Sequence, residues 1–68
     1  MRIRLRIKEV AQEKGYSMNS LSRATDISFN TIKRLWKQPY SGVTIETLAK
    51  IARVLQVDIS DLTEYEEE

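Results

Sequence analysis

Apolar and basic positions alternate strictly at the start of the chain: Arg2, Arg4, Arg6 and Lys8 interleave with Ile3, Leu5 and Ile7. A period of two predicts a short, half-buried strand. The period then lengthens. Ile7, Val10, Ala11 and Lys14 follow helical steps and Gly15 is a stop signal, which predicts a helix over about 7–14. Ser17 is placed to cap a second helix, in which Met18, Leu21 and Ala24 share a face. Thr25 and Asp26 interrupt that run, and Asp tolerates turn geometry, including a left-handed backbone. Ile27 follows as a buried pivot. Ser28 caps a third helix over about 29–37, which Pro39 ends because the residue before a proline disfavours helix. Tyr40, Ser41 and Gly42 form a loop. Thr44 caps a fourth helix, with Glu46 in the first turn, where a negative charge suits the helix dipole. Ile45, Leu48, Ala49, Ala52 and Leu55 form its apolar stripe. Asp58 is placed to cap one further turn holding Ile59 and Leu62, and Glu64 to Glu68 read as an acidic tail.

Composition narrows the chemistry. A chain of 68 residues is one small domain, 1–68, and its core supplies only a few kcal/mol. Cys and His are both absent, which excludes disulfides, Cys/His metal sites and His-dependent catalysis. No apolar run approaches the ~20 residues that cross a bilayer, and residues 1–10 lack the apolar stretch of a secretory signal. The expected compartment is the cytoplasm. The net charge of +1 hides a split: residues 1–40 carry nine Lys/Arg against three Asp/Glu, whereas residues 41–68 carry two against seven. Such a division suggests one anion-facing side.

Two short helices joined by a tight turn, over about 17–37, have the layout of a DNA-binding helix-turn-helix. The stretch SMNSLSRATDISFNTIKRLW resembles the helix-turn-helix of the phage Cro and repressor family, often called the Xre family, at Leu21, Ala24, Thr25, Ile27, Ser28, Ile32 and Leu35. The TLAKIARVL helix and the closing Val57-Asp58-Ile59-Ser60-Asp61-Leu62 extend the similarity over nearly the whole chain. The fold implied is mainly α, a four- to five-helix repressor-like domain, and the alternation at both chain ends leaves room for a short two-stranded ladder between them. Ser22 stands where a small Ala is usual, and Asp26 where Gly is common. Met18 and Phe29 stand where relatives often carry glutamines; both are apolar and suited to pack as a sulfur–aromatic pair. Adenine reading by glutamine therefore does not carry over.

The outward face of the third helix follows from geometry. At about 100° per residue, counted from Ser28, Ile32, Leu35 and Trp36 fall in one inward arc. Asn30, Lys33, Arg34 and Lys37 fall between roughly 140° and 240°, on a basic outer face. Lys and Arg neutralise phosphates and donate to guanine O6 and N7, and Asn pairs with adenine. Asn30, Lys33 and Arg34 are the main base-reading candidates. Thr31 lies at the margin, and Phe29 is placed to touch a thymine methyl. Phosphate contacts are expected from the amides that open the second helix, with Ser17, Asn19 and Arg23. The resemblance implies further backbone contacts from Lys37, Gln38, Tyr40 and Ser41.

The resemblance implies sequence-specific binding of double-stranded DNA by a transcriptional regulator, a repressor, that inserts the third helix into the major groove. A homodimer on paired half-sites would fit, with a monomer or a dimer formed only on DNA left open. A protein-interaction module or antitoxin on the same fold is the alternative. No cofactor, metal, membrane or small-molecule substrate is implied, and helix capping explains Asp58, Asp61 and Glu64 better than catalysis does. Each pointed reading has a plainer rival. A basic helix face is often only solvated surface. Met18 and Phe29 fit a core edge, Trp36 fits packing, and Tyr40 fits either a loop anchor or a phosphate donor. The basic strand is either an arm for DNA or one side of a ladder between Ile3–Ile7 and Leu62–Glu66, with opposite charges facing each other.

Overall fold

A computed structural model describes residues 2–67; Met1 and Glu68, the last residue of the acidic tail, lie outside the described residues. The chain runs through strand β1 (Arg2–Leu5), helices α1 (Ile7–Glu13), α2 (Met18–Thr25), α3 (Phe29–Lys37) and α4 (Ile45–Leu55), a 3-10 turn (Ile59–Leu62) and strand β2 (Thr63–Glu66). The expected mainly α fold with a terminal ladder is what forms.

Each of the helices α2, α3 and α4 is started by a hydroxyl. The Ser17 side chain accepts from the Ser20 amide, Ser28 from Thr31 and Thr44 from Thr47. Each satisfies an amide that has no partner inside its own helix. The helix ends use left-handed residues. Asp26 closes α2 at φ 59° and Gln56 closes α4 at φ 58°, while Gly15 follows α1 at φ 86°. Asp26 therefore takes the role of the glycine common in this turn. Ser22, in place of the usual Ala, donates its hydroxyl to the Ile27 carbonyl at 2.6 Å and ties the end of α2 to the turn.

The core joins β1, the four helices and the 3-10 turn. Ile7, Leu21, Ile32, Leu35, Ile51, Leu55 and Leu62 are fully buried, with Leu5 and Val10 beside them. Helix α3 packs on α1 and α2, and α4 packs on α1, α2 and the 3-10 turn. Two apolar assignments change. Ile45, first in the expected stripe of α4, is 69% exposed, because it sits in the opening turn and overhangs the end of the core. Ala24 is exposed on a shallow groove with Val54 and Arg53, and Thr25 takes the buried place instead. The Thr25 hydroxyl donates to the Leu21 carbonyl at 2.7 Å, so its burial leaves no orphan group.

The chain ends form the ladder. β1 and β2 are antiparallel, with Arg2 opposite Glu66, Ile3 opposite Tyr65, Arg4 opposite Glu64 and Leu5 opposite Thr63. The pairing is shorter than the sequence suggests. It stops at Leu5, because Arg6 already serves as the N-cap of α1 and Ile7 turns into its core face. At the 3-10 turn the Asp58 amide donates to the Asp61 carboxylate at 3.0 Å, so Asp61 shares the capping expected of Asp58.

Candidate nucleic-acid interface

The candidate interface centres on α3. Its apolar side, Ile32, Leu35 and Trp36, is buried, with Trp36 only 9% exposed. Asn30, Lys33, Arg34 and Lys37 are exposed on the other side. The rotation counted from sequence therefore matches the burial found. At the start of the helix Phe29 is 38% exposed. Thr31 is half-buried, and its hydroxyl shares a bond with the Ser28 cap at 2.9 Å. Met18 is partly buried against the core margin.

Helix α2 packs against α3 and opens on its own capped N-terminus. Ser17 and Ser20 cap each other reciprocally: the Ser20 amide reaches Ser17 Oγ at 3.2 Å, and the Ser17 amide reaches Ser20 Oγ at 2.8 Å. The amides of Met18 and Asn19 are the remaining donors of the first turn. Asn19 and Arg23 are exposed one turn apart on the same helix.

The loop after α3 is held at several points. The Gln38 amide donates to the Arg34 carbonyl at 2.8 Å, and the Ser41 amide donates to the Gln38 carbonyl at 3.0 Å. Arg34 Nη2 donates to the Gly42 carbonyl at 3.2 Å. The Tyr40 hydroxyl donates to Glu66 Oε1 at 2.7 Å, and the Arg2 guanidinium lies 4.2 Å from the centre of the Tyr40 ring. That hydrogen bond, followed by desolvation, raises the Tyr40 pKa above its ordinary value. Tyr40 is thus a loop anchor in this structure. The Ser41 hydroxyl is buried with no hydrogen-bond partner. Lys37 is exposed and Gln38 is exposed beside it.

The arginines of β1 are engaged elsewhere. Arg2 pairs with Glu66 at 3.4 Å, and Arg4 pairs with Glu9 and, at 3.9 Å, with Glu64. Desolvation pushes the Glu9 carboxyl up. The hydrogen bond from Arg4, a backbone bond and the charges of Arg4 and Arg6 outweigh it and hold Glu9 below the usual carboxylate range. The strand is therefore a ladder partner, and Arg2 and Arg4 are answered by Glu66 and Glu64 of β2 and by Glu9 of α1.

Sequence reasoning missed two links, Arg34 to Gly42 and Tyr40 to Glu66. Both join residues brought together only by the fold, so no local spacing announces them. Among the described residues no cluster of three or more acidic side chains is placed to hold a metal, and no helix is long and apolar enough to cross a membrane.

The comparison with known families agrees with this architecture. No curated protein sequence matches the chain. A model of the Cro/C1-type HTH DNA-binding domain matches residues 6–68, which takes in all four helices, the 3-10 turn and β2. The chain belongs to the Cro/C1-type helix-turn-helix DNA-binding domain family.

Proposed function

We propose that this protein is a transcriptional repressor of the cytoplasm, not an enzyme, that reads double-stranded DNA by laying α3 in the major groove. The observation that carries the reading is the division of α3 into a buried apolar side and an exposed face of Asn30, Lys33, Arg34 and Lys37. In the proposed complex Asn30, Lys33 and Arg34 meet base edges, and Phe29 and Thr31 lie at the margin against thymine methyls or sugars. The amides of Met18 and Asn19, with the Asn19 and Arg23 side chains, hold a phosphate at the head of α2. Ser17 supports them as the cap. Lys37 and Gln38 hold a second phosphate. Ser41 joins them by rotating its orphan hydroxyl outward, and Tyr40 keeps the loop in place rather than donating.

Nine helical residues span about 13 Å, roughly four base-pair steps. One α3 reads too few bases for tight, selective binding, so two copies on paired half-sites are proposed. Occupying such a site at a promoter would exclude polymerase.

The test is selection of bound duplexes from random sequence, followed by affinity measurements on the recovered site. Lys33→Ala with Arg34→Ala should weaken binding about 10- to 1000-fold and erase the preference for that site, with the fold intact by circular dichroism. Absence of binding to any duplex at low salt would sink the proposal and favour a protein-interaction module.

A further inference from the structure

The chain ends are wired to the reading helix through the loop that follows it. Glu66, in β2, accepts the Tyr40 hydroxyl at 2.7 Å, and Arg2, opposite Glu66 in the ladder, pairs with Glu66 and covers the Tyr40 ring. The Leu5 amide, in β1, donates to the Pro39 carbonyl at 2.7 Å. These bonds fix residues 39 and 40 against the ladder. Two residues further on, the Gly42 carbonyl receives the Arg34 guanidinium at 3.2 Å. Arg34 is exposed, and a long exposed side chain ordinarily samples many rotamers. A carbonyl held in a fixed place removes that freedom before DNA arrives, and a pre-ordered donor loses less entropy on meeting its acceptor.

We propose that the terminal ladder sets sequence discrimination: Glu66 and Tyr40 are positioning residues that fix the 39–42 loop, and through the Gly42 carbonyl they aim Arg34 at its base. This rests on the reading of α3 as the base-reading helix. The ladder's contribution falls on the preference between sequences. It does not fall on general attraction to DNA, because neither Glu66 nor Tyr40 needs to touch the duplex.

The experiment compares Glu66→Ala with Glu66→Gln. Both remove the same charge, but Gln keeps an oxygen that accepts the Tyr40 hydroxyl. Affinities are measured for the selected duplex, for its single base-pair variants and for an unrelated duplex. Thermal unfolding is followed alongside. Relative to Glu66→Gln, Glu66→Ala should lower the preference for the selected duplex over the variant at the Arg34 position about 3- to 10-fold, leaving affinity for the unrelated duplex the same in the two proteins. Tyr40→Phe, which keeps the ring under Arg2, should lower that preference as Glu66→Ala does. In an Arg34→Ala background the difference between Ala and Gln at position 66 should vanish.

Equal preference in the Ala and Gln variants, when Arg34→Ala alone does change the preference, overturns the brace and leaves the α3 reading standing. A parallel loss on all duplexes that tracks melting temperature also overturns it, since that is what a merely structural role would produce. No effect of Arg34→Ala on preference overturns both the brace and the assignment of Arg34 as a base reader.

Discussion

Asp26 and Gln56 both carry left-handed backbones at helix ends, yet they are not equivalent. Asp is among the few L-residues whose short polar side chain tolerates that region, whereas Gln has no such compensation. Gln56 is exposed, and its amide bonds to the Arg53 carbonyl, so it serves through its backbone. Replacing it with glycine removes the Cβ penalty at the position where glycine is favoured. Gln56→Gly is expected to stabilise the fold by about 0.5–1 kcal/mol, a rise of about 2–8 °C in Tm for a domain of this size. Thermal unfolding by circular dichroism checks it; an unchanged or lower Tm would mean that the Gln side chain makes a contribution of its own. Thr25 shows the opposite economy. Its hydroxyl is buried, but bonding back to the Leu21 carbonyl lets a polar residue occupy a core position at the end of α2.

Among the elements, β1 has the most consequence for the charge balance. Three of the chain's arginines lie in or beside it, and Arg2 and Arg4 face Glu66, Glu64 and Glu9. Counterions are released on DNA binding only by cations that replace them at phosphates. Replacing Arg2, Arg4 and Arg6 together with Gln should therefore leave the slope of log affinity against log salt unchanged, within about half a unit. If the strand instead served as an arm on DNA, the slope would fall by about 0.9 for each phosphate no longer neutralised. The elements themselves were legible because their causes are local: the change of period at Ile7, and the hydroxyls of Ser17, Ser28 and Thr44, lie within a few residues of what they determine. The buried and exposed sides of α3 were legible for the same reason. The places where the sequence misled are those where burial depends on where a helix ends relative to its neighbours. Ile45 has the right spacing for the stripe, but one turn too far out. Ala24 and Thr25 exchange places because helical rotation alone cannot tell which of two adjacent residues a neighbouring helix covers. The links from Arg34 and Tyr40 required the loop and the ladder to be placed in space first.

At the scale of the whole molecule, β1, the four helices and the 3-10 turn contribute to one core, and among the described residues no disulfide or acidic metal cluster supplements it. At the usual ~0.05–0.15 kcal/mol per residue, a domain of this length has a stability of about 3–10 kcal/mol. The opposed charges of the two halves are partly consumed inside the fold, where the basic β1 meets the acidic β2. Of what remains on the outside, Lys33, Arg34 and Lys37 lie together on α3. The near-neutral total thus coexists with a basic face on α3.

The ladder also bears on the order of assembly. It pairs residues about sixty positions apart, whereas the helices and the turn between α2 and α3 are closed by neighbours. Bringing distant segments together costs loop entropy that is recovered only after the intervening chain has condensed. The helical core therefore condenses first, and the two four-residue strands zip up last and part first. Native-state amide exchange should show it: Arg6, bonded to the Leu62 carbonyl, should open with a smaller free energy than Ile32 or Ile51. Equal protection at all three would mean instead that the ends and the centre of this protein unfold as a single unit.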